Sequence, residues 1–237
     1  MTPARLIVNG CSYMEMYSDG GVEDLSQQLG INFAKSLALT GACNSRIIRT
    51  TLKDSYQTSE PTLYIIGITY LTRHELPLLS GRSESDGKWQ SINNNFKKSS
   101  AIELDAHFTY NDIKNYCSLW DKFTVLGIDD LALNLQYQLL SLCDSLQYQG
   151  HRCVIFNTAE SALDWVVDKT DFDLLKSKKQ LIQGLRWKSI PWQFEQGAIC
   201  SELDEHLPIG ARHVASGQHR WLNKFLVDYI NQQSILE

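Results

Sequence analysis

The stretch "NGCSY" at positions 9–13 follows directly on the strand-forming run "ARLIV". Three readings compete for it. It is an ordinary strand-to-loop turn, or a lipid-attachment cysteine behind a short leader, or a nucleophile, Ser12, set at the end of a first β-strand. A serine hydroxyl attacks poorly until a neighbouring base takes its proton, so the third reading needs partners from elsewhere in the chain. In open parallel sheets, ligands collect beyond the carboxyl ends of the strands. The residues after the other apolar runs supply suitable types: Gly41, Cys43 and Asn44 in "TGACN", Thr69, Tyr70 and Arg73 after "TLYIIG", and His213 in "ARHVASGQHRW". A hydroxyl, a glycine N–H at a helix start, a polar side chain and a late histidine would thus meet at one edge.

The elements that must position them read as follows. "RLIVNG" (5–10), "PTLYIIGITY" (61–70) and "HRCVIFNT" (151–158) are short apolar runs of the kind that form buried parallel strands. Residues 22–38 carry Val22, Leu25, Leu29, Phe33 and Leu37 at spacings of three and four, which predicts a helix with one buried face. "SRIIRTTLKDSY" predicts a second helix. Residues 128–148 predict a third through Leu131, Leu135, Leu139, Leu142 and Leu146, and "SGQHRWLNKFLVDYINQQ" a last one. Strand and helix alternate, the pattern of a parallel sheet covered on both faces. Residues 79–109, rich in Ser, Asn, Gly and charge, read as a long loop or insertion. With no internal repeat and no dividing linker, 1–237 reads as one domain.

Composition narrows the function classes. The chain has 237 residues, 43% hydrophobic and 21% charged, enough for one substantial core and without a disorder signature. The net charge of −5 and the scattered basic residues argue against a nucleic-acid partner. "KSKK" at 176–179, the densest basic run, reads as a solvated helix face. No stretch approaches the roughly 20 apolar residues of a membrane helix, and "LIV" is too short for a signal-peptide core, which disfavours the lipid-anchor reading. Six cysteines are scattered without C-x-x-C or zinc spacing. No metal site is expected, and reduced, buried thiols and a cytoplasmic setting are.

The strand-end residues resemble the blocks of the SGNH hydrolases, also called GDSL-type esterases, and in particular a divergent branch found in phage and environmental genomes. "NGCSY" resembles the first block through Gly10 and Ser12, with Cys11 where Asp is usual. "LTGACNSRI" resembles the second, which places Gly41 as an oxyanion-hole donor. "YIIGITYLTRHE" resembles the third through Gly67, with Thr69 at the asparagine position. "RHVASGQHRWL" resembles the last through His213 and His219, with Gly210 where an aspartate is usual. The resemblance implies a three-layer α/β/α sandwich, flavodoxin-like, with a central parallel sheet of about five strands. It implies Ser12 as nucleophile and His213 as general base, with Asp204, Glu205 or a backbone carbonyl orienting the imidazole and Asp204 favoured. The N–H groups of Ser12 and Gly41 and the Thr69 hydroxyl would hold the oxyanion, while Asn44 and Arg73 would line the substrate pocket. Pairing with Glu75 or another carboxylate is the alternative for Arg73. The implied substrates are small acyl or carbohydrate O-acyl esters, with no cofactor. Transfer to a sugar hydroxyl and a non-catalytic binding or virion-associated module are the alternatives. Cys11 is a second candidate nucleophile, and Ser12 as a turn or cap residue is the plain one.

Overall fold

The computed structural model describes residues 3–11, 14, 20–39, 41–71, 73–77, 89–92, 109–158 and 219–236. Four strands form one parallel sheet: β1 (Arg5–Asn9), β2 (Phe33–Ser36), β3 (Thr62–Ile68) and β6 (Arg152–Asn157), in the order β2-β1-β3-β6. A second, two-stranded antiparallel sheet pairs β4 (His74–Pro77) with β5 (Trp89–Ile92). The helices are α1 (Gly21–Leu29), α2 (Asn44–Ser55), α3 (Tyr110–Leu126), α4 (Ile128–Tyr148) and α5 (His219–Gln232). The molecule is therefore of the α/β class.

The central strands read as unbroken apolar runs because both of their faces are buried. Register sorts their side chains. Leu6, Val8, Leu63, Ile65, Val154 and Phe156 pack with α1 and α5. Ile7, Tyr64, Ile66, Ile68, Cys153 and Ile155 pack with α2 and α4. On α4, Leu135, Leu139, Leu142 and Leu146 are buried, as their spacing predicts, while Leu131 is only half-buried.

Residues 22–38 are not one helix. α1 ends at Leu29 because Gly30 adopts the left-handed conformation (φ 67°). The Gly30 N–H donates to Gln27 O (3.2 Å) and the Ile31 N–H to Ser26 O (2.9 Å), a Schellman closure. Phe33 and Leu37, counted above as helical, lie in and just after β2. The expected loop at 79–109 is also corrected in part, since β5 lies inside it. α3 follows, opened by a capping box: Thr109 Oγ1 accepts from the Asp112 N–H, and Asp112 Oδ2 accepts from the Thr109 N–H.

The amino-terminal edge of the sheet is closed by a buried polar cluster. Arg5 donates to Asp54 Oδ1 (3.4 Å), and the Tyr64 hydroxyl donates to Asp54 Oδ2 (2.8 Å). Burial and the adjacent carboxylate push the Tyr64 phenol far above its ordinary range. His151 Nδ1 accepts from the Thr62 N–H (3.3 Å), which leaves Nε2–H to face Ser55 O at 3.4 Å. Burial holds this imidazole below its ordinary 6.5, and only the neutral ring can accept from Thr62.

At the opposite edge, β1 and β3 approach around one side chain. Met14 is fully buried. A Cβ placed on Gly10 would lie 2.8 Å from Met14 Cβ and 2.9 Å from Gly67 O; one placed on Gly67 would lie 2.6 Å from Met14 Cγ and 2.5 Å from Thr158 Cγ2. Both positions are glycine because Met14 occupies the space a side chain would need.

Two outcomes are expected. Gly67→Ala should cost about 1–3 kcal/mol through overpacking. Combined with Met14→Ala, its added cost should shrink, so urea unfolding should show the pair to be less than additive. For His151, the unfolded chain takes up a proton near pH 6.5 that the folded chain resists. Its stabilisation is therefore complete above that pH and falls on acidification, levelling off below the folded pKa. Urea midpoints between about pH 7.5 and about pH 5 should fall less steeply in His151→Gln than in the parent.

Candidate functional site

The carboxyl ends of β1 and β3 and the start of α2 form one continuous structure. Asn9, fully buried at the end of β1, places its amide nitrogen 3.0 Å from Ile47 O and 2.9 Å from both Thr50 Oγ1 and Thr51 Oγ1, all on α2. Its oxygen accepts from the Gly10 N–H (2.9 Å). The Leu39 N–H donates to Gly10 O (3.1 Å), which brings the segment after β2 alongside the end of β1. The Ala42 N–H then donates to Leu39 O (3.0 Å), closing a turn in which Gly41 has φ 78°. That turn delivers the chain to α2. Gly41 is half-buried, and among the described residues its N–H meets no acceptor.

Ser12, His213 and Asp204 lie outside the described residues, as does Glu205. The described neighbours of position 12, Cys11 and Met14, are joined by a hydrogen bond from the Met14 N–H to Cys11 O (2.8 Å). Gly41, Asn44, Thr69 and Arg73 are described, and the structure brings the last three together. Asn44 faces the buried backbone of Thr69 as a strand partner would: its amide donates to Thr69 O (2.9 Å) and its oxygen accepts from the Thr69 N–H (2.8 Å). The Thr69 backbone donor is thereby committed, and its hydroxyl proton is the donor that remains. That hydroxyl oxygen accepts from Arg73 Nη1 (3.1 Å), whose guanidinium carbon stands 5.1 Å from the centre of the Tyr70 ring. Glu75, the alternative partner considered for Arg73, is held instead by Arg49, through Nε to Oε1 (3.2 Å) and Nη2 to Oε2 (2.7 Å). A bidentate fork binds a carboxylate more firmly than a single donor.

Cys11 is fully buried, with its sulfur 3.6 Å from Thr158 Oγ1. The single hydroxyl proton of Thr158 goes to Ile68 O at 2.6 Å, so the thiol is the donor to Thr158. Cys11 is built as a packing thiol rather than an attacking one. Cys43 caps α2 by accepting from the Arg46 N–H (3.5 Å), and burial pushes its thiol up to about 11. The five described cysteines are all buried, and none of them is in a disulfide. Among the described residues no three His, Cys, Asp or Glu side chains gather as a metal site, and no helix is long and apolar enough to cross a membrane.

Sequence reasoning missed Asn9 and the role of Met14. The only local signal for Asn9 was its place at a strand end before glycine. Its partners lie 38 to 42 residues away. The strand order defines a class, the α/β proteins in which neighbouring crossovers leave β1 in opposite directions along the sheet and open a crevice at the carboxyl edge. No family model, no curated protein and no solved structure matches the chain.

The Asn44 clamp leads to a clear expectation. Asn44→Ala leaves the N–H and C=O of a fully buried Thr69 without these partners, at about 1–3 kcal/mol for each group. Equilibrium unfolding in urea should show a loss of about 2–4 kcal/mol; an unchanged midpoint would mean the clamp carries no stability.

Proposed function

We propose that the protein is a serine ester hydrolase of SGNH type that works through a Ser12 acyl-enzyme. The observation that carries the reading is the convergence of three chain segments at one sheet edge. The end of β1 bears Gly10 and leads into position 12. The turn bearing Gly41 is tied to Gly10 through Leu39, and the end of β3 bears Thr69, clamped by Asn44. In this reading the sheet gains a fifth strand and the fold is a full three-layer sandwich.

The chemistry runs as acyl transfer. Ser12 Oγ forms the bond to the ester carbon while His213 takes the hydroxyl proton and passes it to the departing alkoxide. Asp204 orients the imidazole and stabilises its cation. The negative charge on the former carbonyl oxygen rests on the N–H groups of Ser12 and Gly41 and on the Thr69 hydroxyl. The Arg73 guanidinium, donating to Thr69 Oγ1, draws electron density from that hydroxyl and makes it a better donor. Water, activated by the same imidazole, then releases the acid; a sugar hydroxyl in its place would make the protein an O-acyltransferase. Small acyl esters and carbohydrate O-acetyl groups are the substrate classes, and the scheme calls on no cofactor.

One observation favours a second reading, a non-catalytic binding or virion-associated module on the same fold. The buried Met14 side chain accounts for Gly10 and Gly67 by packing alone. Gly210 at the position of the usual aspartate points the same way.

A fluorophosphonate probe followed by peptide mass spectrometry separates the two. The hydrolase should be labelled on the peptide containing "NGCSYMEMY", and Ser12→Ala should abolish both the label and p-nitrophenyl acetate turnover, a loss on the order of 10³ or more. Folded protein that takes no label and turns over no ester above background would rule out the hydrolase.

A further inference from the structure

Helix α3 buries one face and leaves an apolar stripe exposed beside it. Ile113 and Cys117 are buried and Trp120 is half-buried. The rings of Tyr116 and Trp120 stand 5.1 Å and 4.6 Å from that of His74 on β4. Alongside this face, Tyr116, Leu119, Phe123 and Leu126 are 37%, 53%, 59% and 86% exposed. They stand three, four and three residues apart, so they form one stripe along about three turns of the helix. The outward side of a helix normally carries polar and charged residues. Here those residues, Asp112, Asn115 and Lys122, only flank the stripe.

Alternation of three and four is the seam of a coiled coil, a pattern that another helix fills. The order three, four, three also reads the same from either end. An antiparallel copy of α3 therefore meets the stripe in register: Tyr116 faces the partner's Leu126, and Leu119 faces the partner's Phe123. A two-fold contact demands such a self-complementary patch. Antiparallel pairing also sets the two helix dipoles in opposition, whereas parallel pairing would align them. Taking about 150–200 Å² for a whole side chain of this kind, the exposed fractions give about 400 Å² per copy. Contiguous apolar patches of that size often mark interaction surfaces. Two copies would cover about 800 Å², and the flanking polar residues bring the contact to the roughly 1,000 Å² of a weaker specific interface.

We infer that the protein forms a two-fold dimer through an antiparallel pair of α3 helices. The stripe shares no residue with the strand-end site, so the inference is independent of the hydrolase reading. Burial of apolar surface drives the association. Charge opposes it: Lys122 lies beside the two-fold axis, close to its own counterpart, and each chain carries a net charge of −5. Salt screens both repulsions.

Sedimentation equilibrium of the full chain tests this. The mass should rise from the 27.0 kDa of one chain towards twice that value as concentration increases through the micromolar range. Raising sodium chloride from about 0.05 to about 0.5 M should tighten the dimer, the reverse of a contact held by ion pairs. Leu119→Glu, Phe123→Glu and Leu126→Glu should each weaken it by about tenfold or more, because each places a carboxylate in the apolar seam. These three side chains are more than half exposed, so the thermal midpoint of dilute, monomeric protein should change little. Tyr148, 94% exposed at the end of α4, is the control, and Tyr148→Glu should associate as the parent does. A parent that stays monomeric up to about 100 µM overturns the proposal and leaves the stripe to another protein or another segment of this chain. So does a dimer that all three α3 variants leave intact, or one that Tyr148→Glu weakens equally.

Discussion

Helix α2 is fastened to the two central strands at three heights, each time by a buried polar contact. At the carboxyl edge, Asn44 grips the backbone of Thr69. In the middle, Asn9 reaches Ile47, Thr50 and Thr51. At the amino edge, Asp54 receives Arg5 and Tyr64. Hydrophobic burial holds a helix against a sheet but is non-directional. Hydrogen bonds between buried groups select one placement, because any slip strands a donor or acceptor away from water. The depth and rotation of α2 set where Gly41 and Thr69 sit.

The two edges of the sheet are built differently. The amino edge holds large, mutually satisfied side chains, Arg5, Asp54, Tyr64 and His151, and its chemistry is spent on cohesion. The carboxyl edge is built from small residues, Gly10, Gly41 and Gly67, with Thr69 and Thr158 holding backbone positions. Small residues let backbone come close to whatever occupies the crevice. Met14 occupies part of that space, where a side chain on Gly10 or Gly67 would otherwise stand. Thr69 shows how a side chain becomes a candidate donor by elimination: its backbone is committed to Asn44, its hydroxyl oxygen receives Arg73, and its hydroxyl proton remains.

Some elements were legible from the residues alone. β1, β3 and β6 are buried on both faces and read as continuous apolar runs, and α4 holds its leucine spacing from Leu131 to Leu146, about four turns. β2 was not legible. Phe33 and Leu37 stand four apart, and a spacing of four satisfies both a helical period near 3.6 and a strand period of 2. The Gly30 cap was the local sign that α1 had ended. β5 sits among polar residues that carry no alternation, and α3 announced itself only through Thr109 and Asp112, three apart at its start.

By itself the sequence determined the α/β class, the three buried strands β1, β3 and β6, and the residue types gathered at strand ends. Burial imposes its periodicity on neighbouring residues, so these are local properties. The tertiary structure alone decided which of those residues meet. Asn44 clamps the backbone of Thr69, 25 residues away, and Glu75 is held by Arg49. Two glycines became the seat of Met14. A hydrogen bond or a close contact depends on separations in space that only the folded chain brings about, and nothing in the spacing of residues along the chain encodes which partner arrives first.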